Sequence, residues 1–335
     1  MSNRHPGNTK GVIRGPERRM WPMDQSIHSP QLQTIIAHLR GIAQEALATA
    51  GDLESKRRLV DKYFAAHPSV LEHAASTVPV TLSQCTGLWI TTQRSDPARR
   101  LLYLHGGSWM AGRASVYLPH IARVANATGC TVLAVDYRLA PENPFPAGLE
   151  DCVEAFLWML EQGLAHTGRA QSYFIAGDSA GGNLTLATLL ALKDRSAQMP
   201  DAAIALSPAT DLTWSGESMT TRALVDPALN AVLMPLVTNI YLQGRAAADA
   251  PLVSPLFGYL RGLPPLLLQV GDAEILLSDS MRFAERARAA GVAVTLEVYP
   301  YMPHVFQGFA PYLPEAVDAL RRVGEFSSVG IVDGS

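Results

Sequence analysis

Eight short runs rich in β-branched and aliphatic residues fall at 78–82, 88–92, 101–104, 131–135, 173–176, 203–206, 266–270 and 292–298. From the third run onward, stretches with helical spacing separate most of them, at 116–127, 152–161, 184–192 and 281–290. Parallel neighbours cannot be joined by a tight turn and need a crossover, usually a helix, so this alternation predicts a mostly parallel sheet with helices on both faces. No helix fits between the first two runs, which therefore pair as an antiparallel hairpin at one edge. The fold class is α/β, with an eight-stranded sheet.

Two intervals stand outside this rhythm. Residues 29–69 carry apolar side chains at helical spacing (Leu32, Ile35, Ile36, Leu39, Ile42) and few strand formers, which predicts two helices before the sheet begins. About sixty residues separate the run ending at Leu206 from the one starting at Leu266, and a structureless loop of that length is improbable. Its middle, 211–249, is rich in Met, Leu, Ala and Thr and reads as a helical insertion. The division expected is an N-terminal segment with cap helices at 1–76, a core at 77–209 and 251–335, and a helical cap insertion at 210–250. A chain of 335 residues has room for one large core and such an appendage.

Several functions are disfavoured at this stage. The formal net charge is -3 and basic residues cluster only in short runs such as those around Arg57-Arg58 and Arg99-Arg100, so the electrostatic footprint of a nucleic-acid binder is missing. No run of about 18 apolar residues suits a membrane span. The first thirty residues hold charge and proline without an apolar stretch, which reads as a cytoplasmic protein with no secretory signal. Cys85, Cys130 and Cys152 are widely spaced, which fits reduced thiols better than disulfides or a zinc site. No nucleotide, dinucleotide or metal signature is present, so neither cofactor nor metal is expected.

Chemistry concentrates in four places. Gly177-Asp178-Ser179-Ala180-Gly181 fits G-x-S-x-G, a sharp strand-to-helix turn that lifts a serine hydroxyl above a sheet edge. A chain this long holds such a pentapeptide by chance roughly one time in ten, so its context decides: Tyr173 to Ala176 reads as a buried strand leading in, and 183–193 as a helix leading out. Serine needs a base to take its proton, and in this arrangement the chain order is Ser, acid, His. Of nine histidines only His304 follows Ser179, just past the last strand. The acid should follow the penultimate strand, where Asp272 and Glu274 are both candidates; Asp279 and Glu285, further on, read as solvated. Finally, His105-Gly106-Gly107-Ser108-Trp109 closes the third run with a glycine loop suited to presenting backbone N–H groups to an oxyanion, together with that of Ala180. His105 is expected to brace this loop.

The HGGS loop, Tyr137-Arg138-Leu139-Ala140-Pro141-Glu142 followed by Pro144-Phe145-Pro146-Ala147, the GDSAGG turn and the PHVF segment at Pro303 to Phe306 together resemble the bacterial hormone-sensitive-lipase family of esterases. The resemblance runs from Leu101 to the C-terminus. It implies the α/β-hydrolase fold, a cofactor-free serine esterase acting on short acyl chains, and a lid made from N-terminal helices and an insertion. It implies oxyanion donors at Gly107, Ser108 and Ala180, with Ser108 standing where the family has glycine and expected to keep a negative φ. Asn143 stands where the family often has histidine, in a segment given a structural role. The register against Leu276 and Phe283 places Glu274, rather than Asp272, at the acid position. The implied substrate is a small ester, with a lactone as the alternative and a non-catalytic ligand-binding protein as a third reading; a homodimer is compatible with all of them. Trp109, Met110 and Trp214, with Met219 and Met234, are the candidates for shaping the pocket.

Overall fold

A computed structural model describes residues 29–49, 52–164 and 168–329. Residues 1–28, on which the expectation of no secretory signal rests, lie outside them. The eight expected strands form one sheet: β1 (Ser76–Thr81), β2 (Thr86–Thr91), β3 (Asp96–Leu104), β4 (Cys130–Asp136), β5 (Ser172–Asp178), β6 (Ala202–Leu206), β7 (Leu266–Gly271) and β8 (Val294–Tyr299). Their spatial order is β1-β2-β4-β3-β5-β6-β7-β8. The β1–β2 and β2–β4 pairings are antiparallel and all the others parallel. Strands β4 to β7 are buried almost throughout, whereas β1 at the edge is mostly exposed, as expected for a parallel sheet covered on both faces.

Alternation along the strands divides the core in two. Leu102 and Leu104 of β3 face one cluster, with Phe156 of α5 (Ala147–Glu161), Leu189 of α6 (Ala180–Asp194) and Phe283 of α9 (Leu277–Ala289). Leu101 and Tyr103 face the other, with Ile121 of α4 (Ala114–Thr128), Leu320 of α10 (Pro314–Val329) and Ile35 of α1 (Pro30–Ala48). The side-chain period of two in a strand makes this split unavoidable once helices cover both faces. The thiols of Cys130 and Cys152 lie in these cores and Cys85 is partly buried, all three free.

Before the sheet, α1 and α2 (Leu53–Asp61) satisfy the expectation of two helices, and Pro68 starts a further single turn, α3 (Pro68–Leu71). Ser29 and Asp52 cap the first two by accepting the N–H groups of Leu32 and Glu54, the usual role of short polar side chains at that position. The insertion is less helical than its spacing predicts, holding α7 (Ser218–Thr221), a 3-10 turn (Ala231–Leu233) and α8 (Met234–Leu242). Its short polar side chains account for the difference. Asp211 accepts from the Thr213 N–H, Asp226 from Ala228 and Leu229, and Asn230 from Val232, local bonds that give the backbone an alternative to helix. Among the described residues no helix is long and apolar enough to cross a membrane.

The parallel register decides where chemistry can occur. Leu104 lies opposite Gly177, Asp178 opposite Leu206, Leu206 opposite Gln269 and Gly271 opposite Tyr299. The carboxyl ends of five strands thus share one edge, and the loops leaving them converge outside it.

Candidate active site

Strand β5 runs through Asp178 into α6, and the turn between them holds Ser179 at φ 53, ψ -118. Positive φ is unfavourable for a residue with a Cβ. The neighbouring elements hold it there: the Ser179 N–H donates to Leu206 O at 2.8 Å, and Ser179 O accepts from the Asn183 N–H at 3.0 Å. Tight packing accounts for the flanking glycines, since a Cβ on Gly177 would collide with Gly181 O and one on Gly181 with Leu104 O. Ala180 begins α6, so its N–H is one of those a helix start leaves without an intrahelical acceptor.

His304 arrives on the loop after β8, buried at 3% exposure. Its Nε2 lies 2.8 Å from Ser179 Oγ and its Nδ1 2.6 Å from Glu274 Oε2. Glu274 is fully buried, and its other oxygen accepts from Ser207 Oγ at 2.8 Å and the Gly271 N–H at 2.7 Å. A buried carboxylate is tolerable when its lone pairs are matched in this way. Burial alone would push His304 down, but the charge and hydrogen bond of Glu274 outweigh it and hold the imidazole above its ordinary value. Asp272, the other candidate, is half-buried and accepts from the Tyr301 N–H at 3.2 Å, with no bond to His304. Asp279, expected in solvent, is instead fully buried and accepts from the N–H groups of Thr210 and Asp211 at 2.6 and 2.9 Å. It lies in the first turn of α9, whose inward face packs against the segment leaving β6, and burial pushes its carboxyl up to about 7.

The loop after β3 approaches the serine from the other side. Gly107 has φ +116, and a Cβ there would meet Ala111 O. Ser108 lies at φ 57 and Trp109 at φ 59, which corrects the expectation that Ser108 keeps a negative φ. Gly107 O accepts from the Met110 and Ala111 N–H groups at 3.1 and 3.0 Å, and this tight turn forces the two following residues into the left-handed region. Neither the Gly107 nor the Ser108 N–H is taken by another backbone carbonyl among the described residues. His105 is buried, stacks on Tyr137 with centroids 4.4 Å apart, and its carbonyl accepts from Tyr137 Oη at 2.7 Å, so it braces the loop from beneath.

Three contributors escaped the sequence reading. Asp178 is buried and accepts from Tyr103 Oη at 2.9 Å and the Gly106 N–H at 3.2 Å, which ties the serine turn to the glycine loop; burial pushes its carboxyl up to about 7. Ser207 bonds Glu274 and also accepts from the Val305 N–H at 3.2 Å. Its place directly after β6 was a usable signal. Tyr63 donates to His304 O at 2.6 Å across 241 positions of chain, and no local pattern announces that. Of the pocket candidates, Trp109 and Met110 are both 3% exposed. The Trp109 ring stacks on Tyr241 of α8 at 4.6 Å and 13°, while half-buried Trp214 donates its indole N–H to Thr238 Oγ1 at 2.8 Å.

A serine hydroxyl, an imidazole and a carboxylate in one hydrogen-bonded line, beside free N–H groups, can perform acyl transfer. Comparison with known proteins agrees with that chemistry. A family described as having the alpha/beta hydrolase fold matches residues 101–308. An acetyl-hydrolase of Streptomyces hygroscopicus is 41% identical over 255 residues, spanning 76% of this chain and 83% of that protein. An esterase of Acinetobacter venetianus is 36% identical over 250 residues, 75% of this chain and 81% of its own. The crystal structure of an esterase from the bacterial hormone-sensitive lipase family superposes with a TM-score of 0.83 at 40% identity, covering 90% of this chain and 99% of that one. The chain belongs to the bacterial hormone-sensitive-lipase family of α/β-hydrolase-fold esterases.

Proposed function

We propose that this protein is a serine carboxylesterase that hydrolyses short-chain acyl esters through Ser179, His304 and Glu274. The observation that carries the reading is the unbroken line of hydrogen bonds from Ser179 Oγ through the imidazole to Glu274. A carboxylate only accepts, so Nδ1 holds the ring proton and Nε2 is left to accept from the serine hydroxyl. As Ser179 Oγ attacks the ester carbonyl, its proton passes to Nε2 and the Glu274 carboxylate stabilises the imidazolium. The carbonyl oxygen gains negative charge and turns toward the N–H groups of Gly107, Ser108 and Ala180, each worth about 3 kcal/mol of barrier in sites of this kind. His304 then protonates the leaving alcohol. Water, deprotonated by the same ring, attacks the acyl-serine and releases the acid. Because the base must be neutral and its imidazole titrates above its ordinary value, turnover is lost as pH falls through that raised value and is retained above it.

The described part of the N-terminal segment, from residue 29 to 76, and the insertion 210–250 act in this reading as a cap. Arg57 of α2 supports it by pairing with both Glu142 oxygens at 3.0 and 2.8 Å and donating to Met110 O at 2.9 Å, directly behind the glycine loop. The Trp109–Tyr241 stack joins that loop to α8, so bulky rings from both the loop and the insertion stand beside the serine's neighbourhood in the chain fold. The acetyl-hydrolase relative points to the same substrate class. With p-nitrophenyl esters from acetate to palmitate, kcat/KM should be highest for the shortest chains and fall beyond about eight carbons. Efficient palmitate hydrolysis with activation at a lipid interface contradicts the short-chain preference.

The role given to Ser108 is tested separately. Its N–H, not its hydroxyl, should matter, and its backbone already sits where glycine is easiest. Ser108→Gly should hold or raise kcat/KM on p-nitrophenyl acetate, and Ser108→Ala should retain most of it. Ser108→Pro lacks the N–H and cannot reach positive φ, so it should lose about 10² to 10³. A severe loss in the alanine variant would assign the hydroxyl a part in the reaction.

A further inference from the structure

The turn Asp272 to Ser278, which carries Glu274 from β7 into α9, is gripped by the insertion through polar contacts. Arg222 Nε donates to Asp272 O at 2.7 Å. Ser218 and Ser278 exchange bonds, each backbone N–H donating to the other's hydroxyl at 2.9 Å, and Ser218 Oγ in turn donates to Ile275 O. Asp226 Oδ2 accepts the N–H of Ile275, the residue directly after Glu274, at 2.8 Å, while its Oδ1 accepts from Ala228 and Leu229 at 2.8 and 2.9 Å. A single carboxylate therefore fixes both the fold of its own loop and the backbone beside the acid.

We propose that Asp226 is a positioning residue for the Glu274–His304 pair, which pins the backbone next to Glu274 and sets a second carboxylate beside the turn that carries the acid. The inference rests on the serine-esterase reading of that pair. The titratable and charged groups facing this corner come from every packed element: Glu274 and Asp272 from the β7–α9 turn, Asp178 from β5, Asp226 and Arg222 from the insertion, and Tyr63 from the segment after α2. Of these, Glu274, Asp226 and Asp178 each raise His304. Tyr63, whose own hydroxyl is pushed upward by burial and then by the charges of Asp226 and Glu274, is the neutral donor that holds the His304 carbonyl. Burial pushes the Asp226 carboxyl up to about 6, so it is half-ionised near that pH, gains charge above it and loses charge below it. No other carboxylate of this group reaches the acid turn from the insertion.

The variants separate charge from geometry. Asp226→Asn keeps an acceptor for Ala228 and Leu229 but sets an amide donor against the Ile275 N–H, and Asp226→Ser likewise removes the charge and the link while retaining a turn-forming hydroxyl. In both, kcat on p-nitrophenyl acetate should fall about 10- to 100-fold, the scale on which a displaced catalytic group lowers turnover. The acid limb of the kcat/KM profile should move down by about half a pH unit, because a neighbouring negative charge that favoured the imidazolium is gone. Asp226→Glu should restore the limb and only part of kcat. Loss of rate with an unmoved acid limb in both neutral variants would reduce Asp226 to a structural residue, and a kcat within about threefold of wild type would remove it altogether. The His304 ring titration followed by NMR reads the same shift without turnover. A wild-type protein that hydrolyses no ester would thus overturn the esterase reading, while an unmoved ring titration would overturn this one.

Discussion

Ser179→Ala is expected to lower kcat by about 10⁵ to 10⁶, the scale on which removal of a triad serine acts in enzymes of this mechanism. The fold should survive. The hydroxyl makes its hydrogen bond to His304 at a half-buried position, so its loss costs about 1 kcal/mol, and in a chain this long that moves Tm by less than about 4 °C. Alanine also tolerates φ 53 no worse than serine does, since both carry a Cβ. Kinetics and a melting curve on the same preparation check both halves. Retained turnover above about a thousandth of wild type would assign the chemistry to another group.

Glu274→Gln should lower kcat by about 10³ to 10⁴, whereas Asp272→Asn should cost less than about tenfold. The glutamine carbonyl oxygen would take over the bonds from Ser207 and the Gly271 N–H, which only an acceptor can satisfy. That leaves its amide donating to Nδ1, so the ring proton moves to Nε2 and the serine loses its acceptor. Asp272 offers no such coupling, because it accepts from the Tyr301 N–H, a bond that an asparagine oxygen keeps. Steady-state kinetics at a pH above the acid limb measures both. The opposite order of effects would make Asp272 the acid.

Much of this arrangement is legible in the chain. The inner strand runs carry enough Val, Ile and Leu to need burial, and from the third run onward helix-forming stretches separate most of them, so the sheet and its crossovers follow from local pattern. The serine turn and the histidine loop sit at strand ends, where the parallel register brings them together. Contacts over long separations leave no such trace. Tyr63, in the segment after α2, meets the His304 backbone across 241 positions of chain, and nothing near Tyr63 encodes that. Asp279 reads as solvated because it falls past the acid turn, in or beside the next helix, yet the face of α9 it shares with Phe283 is buried. The Cβ of Ser108 argues for a negative φ, but the turn closed by Gly107 O imposes +57. The insertion is the least legible part, because Asp211, Asp226 and Asn230 divert into local turns a stretch whose apolar spacing is helical.

Covalent labelling tests whether Ser179 is an activated nucleophile without reference to any substrate. A fluorophosphonate reacts far faster with a serine whose proton is removed as it attacks than with an ordinary hydroxyl. Incubation followed by intact mass and peptide mapping should give one adduct per chain, on the peptide containing Ser179, with the rate falling as pH drops through the raised His304 value. Full turnover of esters with no adduct, or an adduct on a different residue, would contradict the account.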